Sequence, residues 1–146
     1  FQLASGTGVA VGPLRAKLTD DLGGLASDVV IAGEGHTELG ALVVPNRAAL
    51  REIAGEDLDG EELLSHPEVR RRTADRLAAH AQAAPGSATR VLRLMYMSVP
   101  LDFDKGEVTD KGSINQRAVL AHRTDLVASL WSDDPRVIAL ASEGAR

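Results

Sequence analysis

SDVVIAGEGHTELGALVVPN, residues 27–46, decides the fold. It holds two apolar runs, Val29–Ala32 and Leu39–Val44, separated by Gly33-Glu34-Gly35-His36. Short runs rich in valine and bounded by glycine read as two buried strands joined by a turn. Directly after them, Asn46 stands where it would cap a short helix carrying Leu50, Ile53 and Ala54, and Gly55 stops that helix.

Working towards the start, FQLASGTGVAVGP (residues 1–13) places two short apolar runs around Gly6-Thr7-Gly8. That is the pattern of a β-hairpin with a glycine turn. Gly6, Gly8 and Gly12 do not make a dinucleotide fingerprint, because a second strand stands where that motif opens a helix. Pro13 suits a first helical turn, and Leu14, Leu18, Leu22 and Leu25 follow at near-helical spacing, with Gly23-Gly24 ending the helix.

Towards the end, Ser65-His66-Pro67-Glu68 predicts a capping box in which Ser65 takes the amide of Glu68. Val69, Thr73, Leu77, Ala81 and Ala84 form the inward stripe of the helix it opens, which Pro85-Gly86 ends; Arg70-Arg71-Arg72 reads as the solvated outer face. RVLRLMYMSV, residues 90–99, is a third long strand. Ser113-Ile114-Asn115-Gln116 predicts a second capping box, opening a long helix with Val119, Leu120, Leu126, Val127, Leu130 and Trp131 on its apolar side. The element order predicts an α+β fold: an N-terminal β-hairpin, a small sheet of about three strands packed with helices, and a C-terminal helical extension.

A chain of 146 residues is one ordinary domain. A net charge of −5 and 3% aromatic residues argue against nucleic acid, which asks for basic stripes and stacking platforms. No apolar run approaches the roughly 18 residues of a membrane span. The lack of cysteine suits a reducing cytoplasm. His36, His66, His80 and His122 are scattered without ligand spacing, so no metal site is read. No sharp turn presents a nucleophilic serine, and GEVTDKGS lacks the close of a P-loop. Phe1 stands where a start methionine would, so a longer natural polypeptide is expected.

Only three of the 16 basic side chains are lysines, and two of these, Lys105 and Lys111, fall in DKGEVTDKGSINQRAVL, residues 104–120. The segment before the predicted helix reads as a surface hairpin turning at Lys105-Gly106, with Lys111 on a glycine-flanked loop just ahead of exposed helical amides. Helix starts favour anions, and lysine adds a flexible point charge without the planar geometry that arginine imposes. The competing reading is that Lys111 only balances Asp104, Glu107 and Asp110 on a wet loop.

FQLASGTGVAVGPLRAKL, DVVIAGEGHTELGALVVPN and EVTDKGSINQRAVLAHRTDLV together resemble the small C-terminal domain of adenylate-forming enzymes, nearest the feruloyl-CoA synthetase type. The resemblance implies that residues 1–146 form a mobile lid on a large N-terminal ATP-binding domain of the same polypeptide. It implies an acid-thiol ligase that activates a small carboxylic acid, ferulate or a related aryl acid, as an acyl-adenylate and passes it to CoA. ATP and CoA are then co-substrates, Mg²⁺ accompanies ATP, and the isolated piece is inactive. Matched residue by residue, Ser5, Gly6, Thr7 and Gly8 fall on the loop that contacts the CoA pantetheine, and Thr109 to Arg117 on the segment carrying the catalytic lysine. The chain departs from the pattern twice. Ser113 occupies the strict lysine slot, which leaves Lys111 two residues early and Lys105 as the alternative; and Gly8 stands where feruloyl-type relatives carry tryptophan. From the residues alone, a free-standing α+β binding or dimerisation module remains the alternative.

Overall fold

The structure, a computed structural model, describes residues 1–140. Helix α1 (Val11–Asp21) leads into β1 (Ala26–Ala32), which turns back into β2 (Leu39–Pro45). The two strands are antiparallel, with Val29 opposite Val43 and Ile31 opposite Ala41. Strand β3 (Val91–Tyr96) lies parallel to β2, so the chain between them must cross over. Helices α2 (Arg47–Ala54), α3 (Gly60–Leu64) and α4 (Pro67–Ala83) make that crossover. After β3 come α5 (Gln116–His122), α6 (Thr124–Ser129) and a two-residue strand β4 (Ile138–Ala139) antiparallel to β3. The sheet is four-stranded and mixed, in the order β1-β2-β3-β4. The α+β architecture is the expected one, with one strand beyond the three.

Side chains alternate across a sheet, and both faces here are covered. Val29, Ile31, Ala41, Val43, Leu94 and Tyr96 pack with Leu14, Leu18, Leu50, Leu63 and Leu77 of α1 to α4. Val30, Ala32, Leu42, Met95 and Met97 pack on the opposite face with Ile114, Val119 and Leu130. This is why residues 29–32 and 39–44 are continuously apolar rather than alternating. Each fully buried leucine contributes on the order of 1.5–3 kcal/mol of transfer free energy.

Several local expectations change. Asn46 does cap α2, accepting from the Ala49 amide at 3.3 Å, and Gly55 ends the helix in the left-handed region. Ser65, however, does not cap α4. It closes the preceding α3, its hydroxyl donating to the Glu61 carbonyl at 2.6 Å, and His66 Nδ1 accepts from the Glu68 amide at 3.1 Å instead. Arg70 leaves the solvated triplet to donate to the Arg136 and Val137 carbonyls, holding the approach to β4. The predicted long helix is two short ones, α5 and α6, broken at Arg123. The N-terminal hairpin is reduced to a single bridge between Gln2 and Gly8.

The outer edge of β1 is closed by side chains rather than by another strand. Gln116 donates to the Ile31 carbonyl at 2.6 Å and accepts from the Ile31 amide at 3.0 Å. Arg15 donates to the Val29 carbonyl at 3.0 Å and pairs with Asp28. Gln116 was expected to serve a capping box. It works instead as one residue's worth of strand, satisfying an edge that would otherwise pair with another chain, and so docks the start of α5.

Candidate functional site

Both lysines of interest lie on a hairpin of two consecutive turns between β3 and α5, Lys105 in the first turn and Lys111 in the second, which alone is closed by a bridge. Its first turn closes with the Gly106 amide on the Phe103 carbonyl at 3.0 Å, and its second with the Gly112 amide on the Thr109 carbonyl at 2.9 Å. A bridge between Val108 and Ile114 joins the arms of the second turn, and the Ser113 amide donates to Thr109 Oγ1 at 3.2 Å. Gly112 has φ +79°, and nothing lies within 4 Å of where its Cβ would stand. Glycine is needed there for the left-handed backbone, not for space. Lys105 and Lys111 are exposed. Lys17 pairs with Asp21 at 2.7 Å, whereas neither hairpin lysine makes an ion pair among the described residues.

The expected helix start beside Lys111 is not there. The cap of α5 is Asn115, accepting from the Ala118 amide at 3.1 Å, and the helix opens only at Gln116. Ser113 is spent in the turn, so the predicted capping box fails, and Lys111 lies four residues ahead of the cap in sequence. The chemistry on offer at Lys111 is a single mobile ammonium.

What holds the hairpin is a pair that sequence spacing does not reveal. Glu107 is 1% exposed, so it is not one of the acids that Lys111 balances on a wet loop. Arg123 grips both its carboxylate oxygens, Nε to Oε2 and Nη2 to Oε1, each at 2.9 Å. The Asp102 amide adds a bond to Oε1 at 2.8 Å. Arg123 also donates to the Val99 carbonyl at 2.7 Å and to the Pro100 carbonyl at 2.8 Å. The Glu107 carbonyl meanwhile accepts from the Asn115 amide at 2.8 Å. The Arg123 guanidinium holds the Glu107 carboxyl below the usual carboxylate range; burial opposes this, and the Asp102 amide assists it. The partners are 16 residues apart, beyond any helical or hairpin register that a sequence pattern would flag.

The loop of Ser5, Gly6, Thr7 and Gly8 is exposed and tied elsewhere. Ser5 Oγ and Thr7 Oγ1 are 2.9 Å apart, and the Gly6 amide reaches the Leu3 carbonyl at 2.9 Å. Gly6 has φ +86°, and neither Gly6 nor Gly8 has a neighbour within 4 Å of a would-be Cβ. The loop rests on the β1–β2 turn: the Ala4 amide donates to the His36 carbonyl at 2.8 Å and the Gly35 amide to the Gln2 carbonyl at 3.1 Å. The His36 ring in turn stacks on Trp131, centroids 3.8 Å apart and planes within 7°. That turn lies at the end of the sheet where β2 and β3 begin, while Val99 and Pro100, gripped by Arg123, follow the opposite end of β3. Lys105 and Lys111 thus share one hairpin, and the Ser5–Gly8 loop has separate anchors.

Two other features stand apart from these residues. A cleft of about 310 Å³ is lined by Glu61, Leu64, Ser65, Arg70, Tyr96 and the Pro135-Arg136 stretch, none of them a lysine. Among the described residues no group of His, Asp and Glu gathers to hold a metal ion, and no helix is long and apolar enough to cross a membrane.

Comparison with known proteins gives the following. The family of AMP-binding enzyme C-terminal domains matches residues 2–134. Among solved structures, the chain is similar to the A-PCP didomain of carboxylic acid reductase from Segniliparus rugosus in complex with AMP. The TM-score is 0.67 at 22% identity, over 90% of this chain and 17% of that one. It is also similar to the A domain of carboxylic acid reductase from the same organism, in complex with AMP and a co-purified carboxylic acid. There the TM-score is 0.65 at 21% identity, over 90% of this chain and 19% of that one. The chain therefore spans less than a fifth of the length of either. No curated protein matches it in sequence.

Proposed function

Because this chain belongs to the family of AMP-binding enzyme C-terminal domains, we propose that it is the mobile lid of an acid-thiol ligase. The ligase activates a carboxylic acid with ATP and passes the acyl group to CoA. The ATP- and acid-binding machinery lies in a large domain of the same polypeptide, and Mg²⁺ arrives there with ATP. The acid is ferulate or a related aryl acid. In this reading Lys111 enters the adenylation site on its hairpin. Attack of the substrate carboxylate on the α-phosphate builds negative charge on that phosphate and on departing pyrophosphate, and a positioned ammonium stabilises both. The Ser5–Gly8 loop lines the path of the pantetheine arm in the second half-reaction, where glycines let the backbone approach a narrow ligand.

What supports a role for this hairpin is the solitude of its lysines, which Lys105 shares with Lys111; the resemblance of Thr109 to Arg117 to the lysine-bearing segment is what selects Lys111. It is exposed, has no ion-pair partner among the described residues, and is presented by a turn whose base is locked by the buried Glu107–Arg123 pair. A lysine meant to neutralise its neighbours would be found against them, and among the described residues neither Asp104 nor Asp110 makes an ion pair with it.

The test measures ATP–pyrophosphate exchange and thioester formation separately in the full-length polypeptide. Lys111→Ala should slow exchange on the order of 10²–10³-fold, the loss typical of one preorganised charge-stabilising donor. Transfer to CoA from a pre-formed acyl-adenylate should survive. Lys105→Ala is the control on the same hairpin. Loss of exchange in Lys105→Ala alone moves the role to Lys105, and full exchange in both variants refutes a lysine from this hairpin. Transfer to a carrier-protein thiol in place of CoA would correct the acceptor.

A further inference from the structure

The turn between β1 and β2 is held to the rest of the chain by one side chain. Residues 34–37 are all exposed, and among the described residues neither Glu34 nor Thr37 makes a side-chain hydrogen bond or ion pair. Gly33 and Gly35 hold φ +136° and +77°, and glycine gives up more freedom on ordering than any other residue. What fastens the stretch is the His36 ring, lying flat on Trp131 with centroids 3.8 Å apart. Trp131 is the fixed half of this pair. Leu130 just before it is fully buried, and its carbonyl accepts from Arg93 Nη1 at 3.0 Å. Nη2 of the same arginine pairs with Glu38, where the turn enters β2.

The turn in its place carries the Ser5–Gly8 loop. That loop is closed on itself, the Leu3 amide on the Thr7 carbonyl at 3.0 Å and the Gly6 amide on the Leu3 carbonyl at 2.9 Å, so it moves with its base. The base is bonded to the turn through Ala4 and Gln2, and the carbonyl that receives the Ala4 amide belongs to His36. The residue whose ring is stacked is thus the one whose backbone seats the loop. Leu3 is buried beneath and keeps the loop attached; the stack decides where it sits. The lysine hairpin is anchored separately, by Arg123 and Glu107, beyond the opposite end of β3.

We propose that His36 and Trp131 are positioning residues for the thiol-transfer step. Their stack fixes the β1–β2 turn and, through the Ala4 and Gln2 bonds, the place where the Ser5–Gly8 backbone meets the acceptor thiol's arm. This builds on the lid reading given above, in which that loop lines the path of pantetheine. Because the lysine hairpin has its own clamp, the stack acts on transfer and leaves adenylation alone. Loosening it lets the loop leave its working position for part of the time, which weakens apparent CoA affinity by the fraction lost.

The experiment uses the full-length polypeptide with His36→Ala, His36→Phe and Thr7→Trp. In transfer from a pre-formed acyl-adenylate, His36→Ala should raise KM for CoA about two- to tenfold, the weight of one aromatic pair. Its kcat at saturating CoA and its ATP–pyrophosphate exchange should stay unchanged. His36→Phe keeps a flat ring and should restore the original KM. Amide hydrogen exchange at Ala4, whose partner is the His36 carbonyl, should quicken in the alanine variant and return to normal in the phenylalanine one. Thr7→Trp fills the path without touching the turn and tests the loop itself. If Thr7→Trp slows transfer while His36→Ala leaves both KM and the Ala4 amide unchanged, the positioning role is overturned and the lid reading stands. Equal losses in both half-reactions of His36→Ala also overturn it, as does a KM that His36→Phe does not restore. Unimpaired transfer in Thr7→Trp refutes the loop's part in the lid reading, and the positioning role with it.

Discussion

Replacing Arg123 with leucine tests whether the Glu107–Arg123 pair organises the hairpin. The substitution removes both donors to the Glu107 carboxylate and both donors to the strand exit, leaving Glu107 with the Asp102 amide alone. The Arg123 and Glu107 side chains are 11% and 2% exposed, so water cannot replace the bonds within the pair, although it can rehydrate the Val99 and Pro100 carbonyls. Removing one member of a buried pair costs about 3–5 kcal/mol, chiefly because the remaining charge is stranded. At about 2–4 °C per kcal/mol for a domain near this size, residues 1–146 should melt roughly 6–20 °C lower. Urea denaturation followed by far-ultraviolet circular dichroism gives the free energy. A Glu107→Leu change added to Arg123→Leu should restore much of the loss, since the stranded charge goes with it.

The pH dependence separates a stranded charge from lost packing. Arg123 holds the Glu107 carboxyl below its usual value of 4.5, so the folded state binds this proton less readily than the unfolded chain. The pair's stabilisation is therefore fully present above about pH 4.5 and is lost as pH falls through the lower, folded-state value. Without Arg123, acidification should relieve the stranded charge, so the gap between the two proteins narrows as pH drops towards 3. A loss under about 1 kcal/mol at pH 7, or a gap that stays constant with pH, would refute a buried, charge-dependent clamp.

Tyr96 is the sole tyrosine, and burial pushes its phenol up to about 12 against the hydrogen bond it shares with Thr73, so phenolate absorbance should appear near pH 12 when folded and near 10 in urea. A midpoint near 10 in the folded protein would place the ring in water. His36→Ala should shift the emission of Trp131, the only tryptophan, and cost about 1 kcal/mol, while an unchanged spectrum would mean the stack is not kept in solution. Gly112→Val meets no neighbour but needs φ +79°, so urea denaturation should show a loss of about 1–2 kcal/mol from backbone strain, with exchange activity of the full-length polypeptide falling further than that loss explains.

How much of this was legible follows from the range of each interaction. The buried runs of residues 27–46, the Asn46 cap and the Gly55 stop are local, and the sequence carries them in full. The cap of α4 was misplaced by one residue because α3, only five residues long, ends on Ser65 and claims its hydroxyl first. Strand β4 has two residues, too few for any period to register. The break at Arg123 was hidden because the apolar positions from Val119 to Trp131 fit one helix as well as two. The decisive event, a guanidinium reaching back to Glu107, has no local signature. The candidate lysines are legible in the sequence as residue type, two among glycines, whereas the geometry around them is not. The α5 start that was to flank Lys111 belongs to Asn115, and Gln116 is committed to the edge of β1.

The arginines explain why lysine is rare here. Arg15, Arg47, Arg51, Arg70, Arg90, Arg93 and Arg123 each donate to a backbone carbonyl, at Val29, Ser98, Leu58, Val137, Ala81, Leu130 and Val99 respectively. Several grip a carboxylate with the same head, as Arg15 does Asp28 and Arg123 does Glu107. A planar fork with five donors can do both at once, whereas an ammonium offers one compact centre. In this fold arginine is therefore the structural fastener of loops to strands, and a lysine in such a place would leave carbonyls unmet. The converse holds on the hairpin. A charge that must stay unattached until a ligand arrives is better carried by the side chain less suited to fastening itself to its own backbone. Under the proposed function Lys105 and Lys111 have that character, and Lys111→Arg discriminates the cause. If the role is to deliver a free point charge, the arginine variant should keep the fold and lose much of the exchange activity. Full exchange in Lys111→Arg would mean that positive charge alone, not lysine's freedom, is what the hairpin supplies.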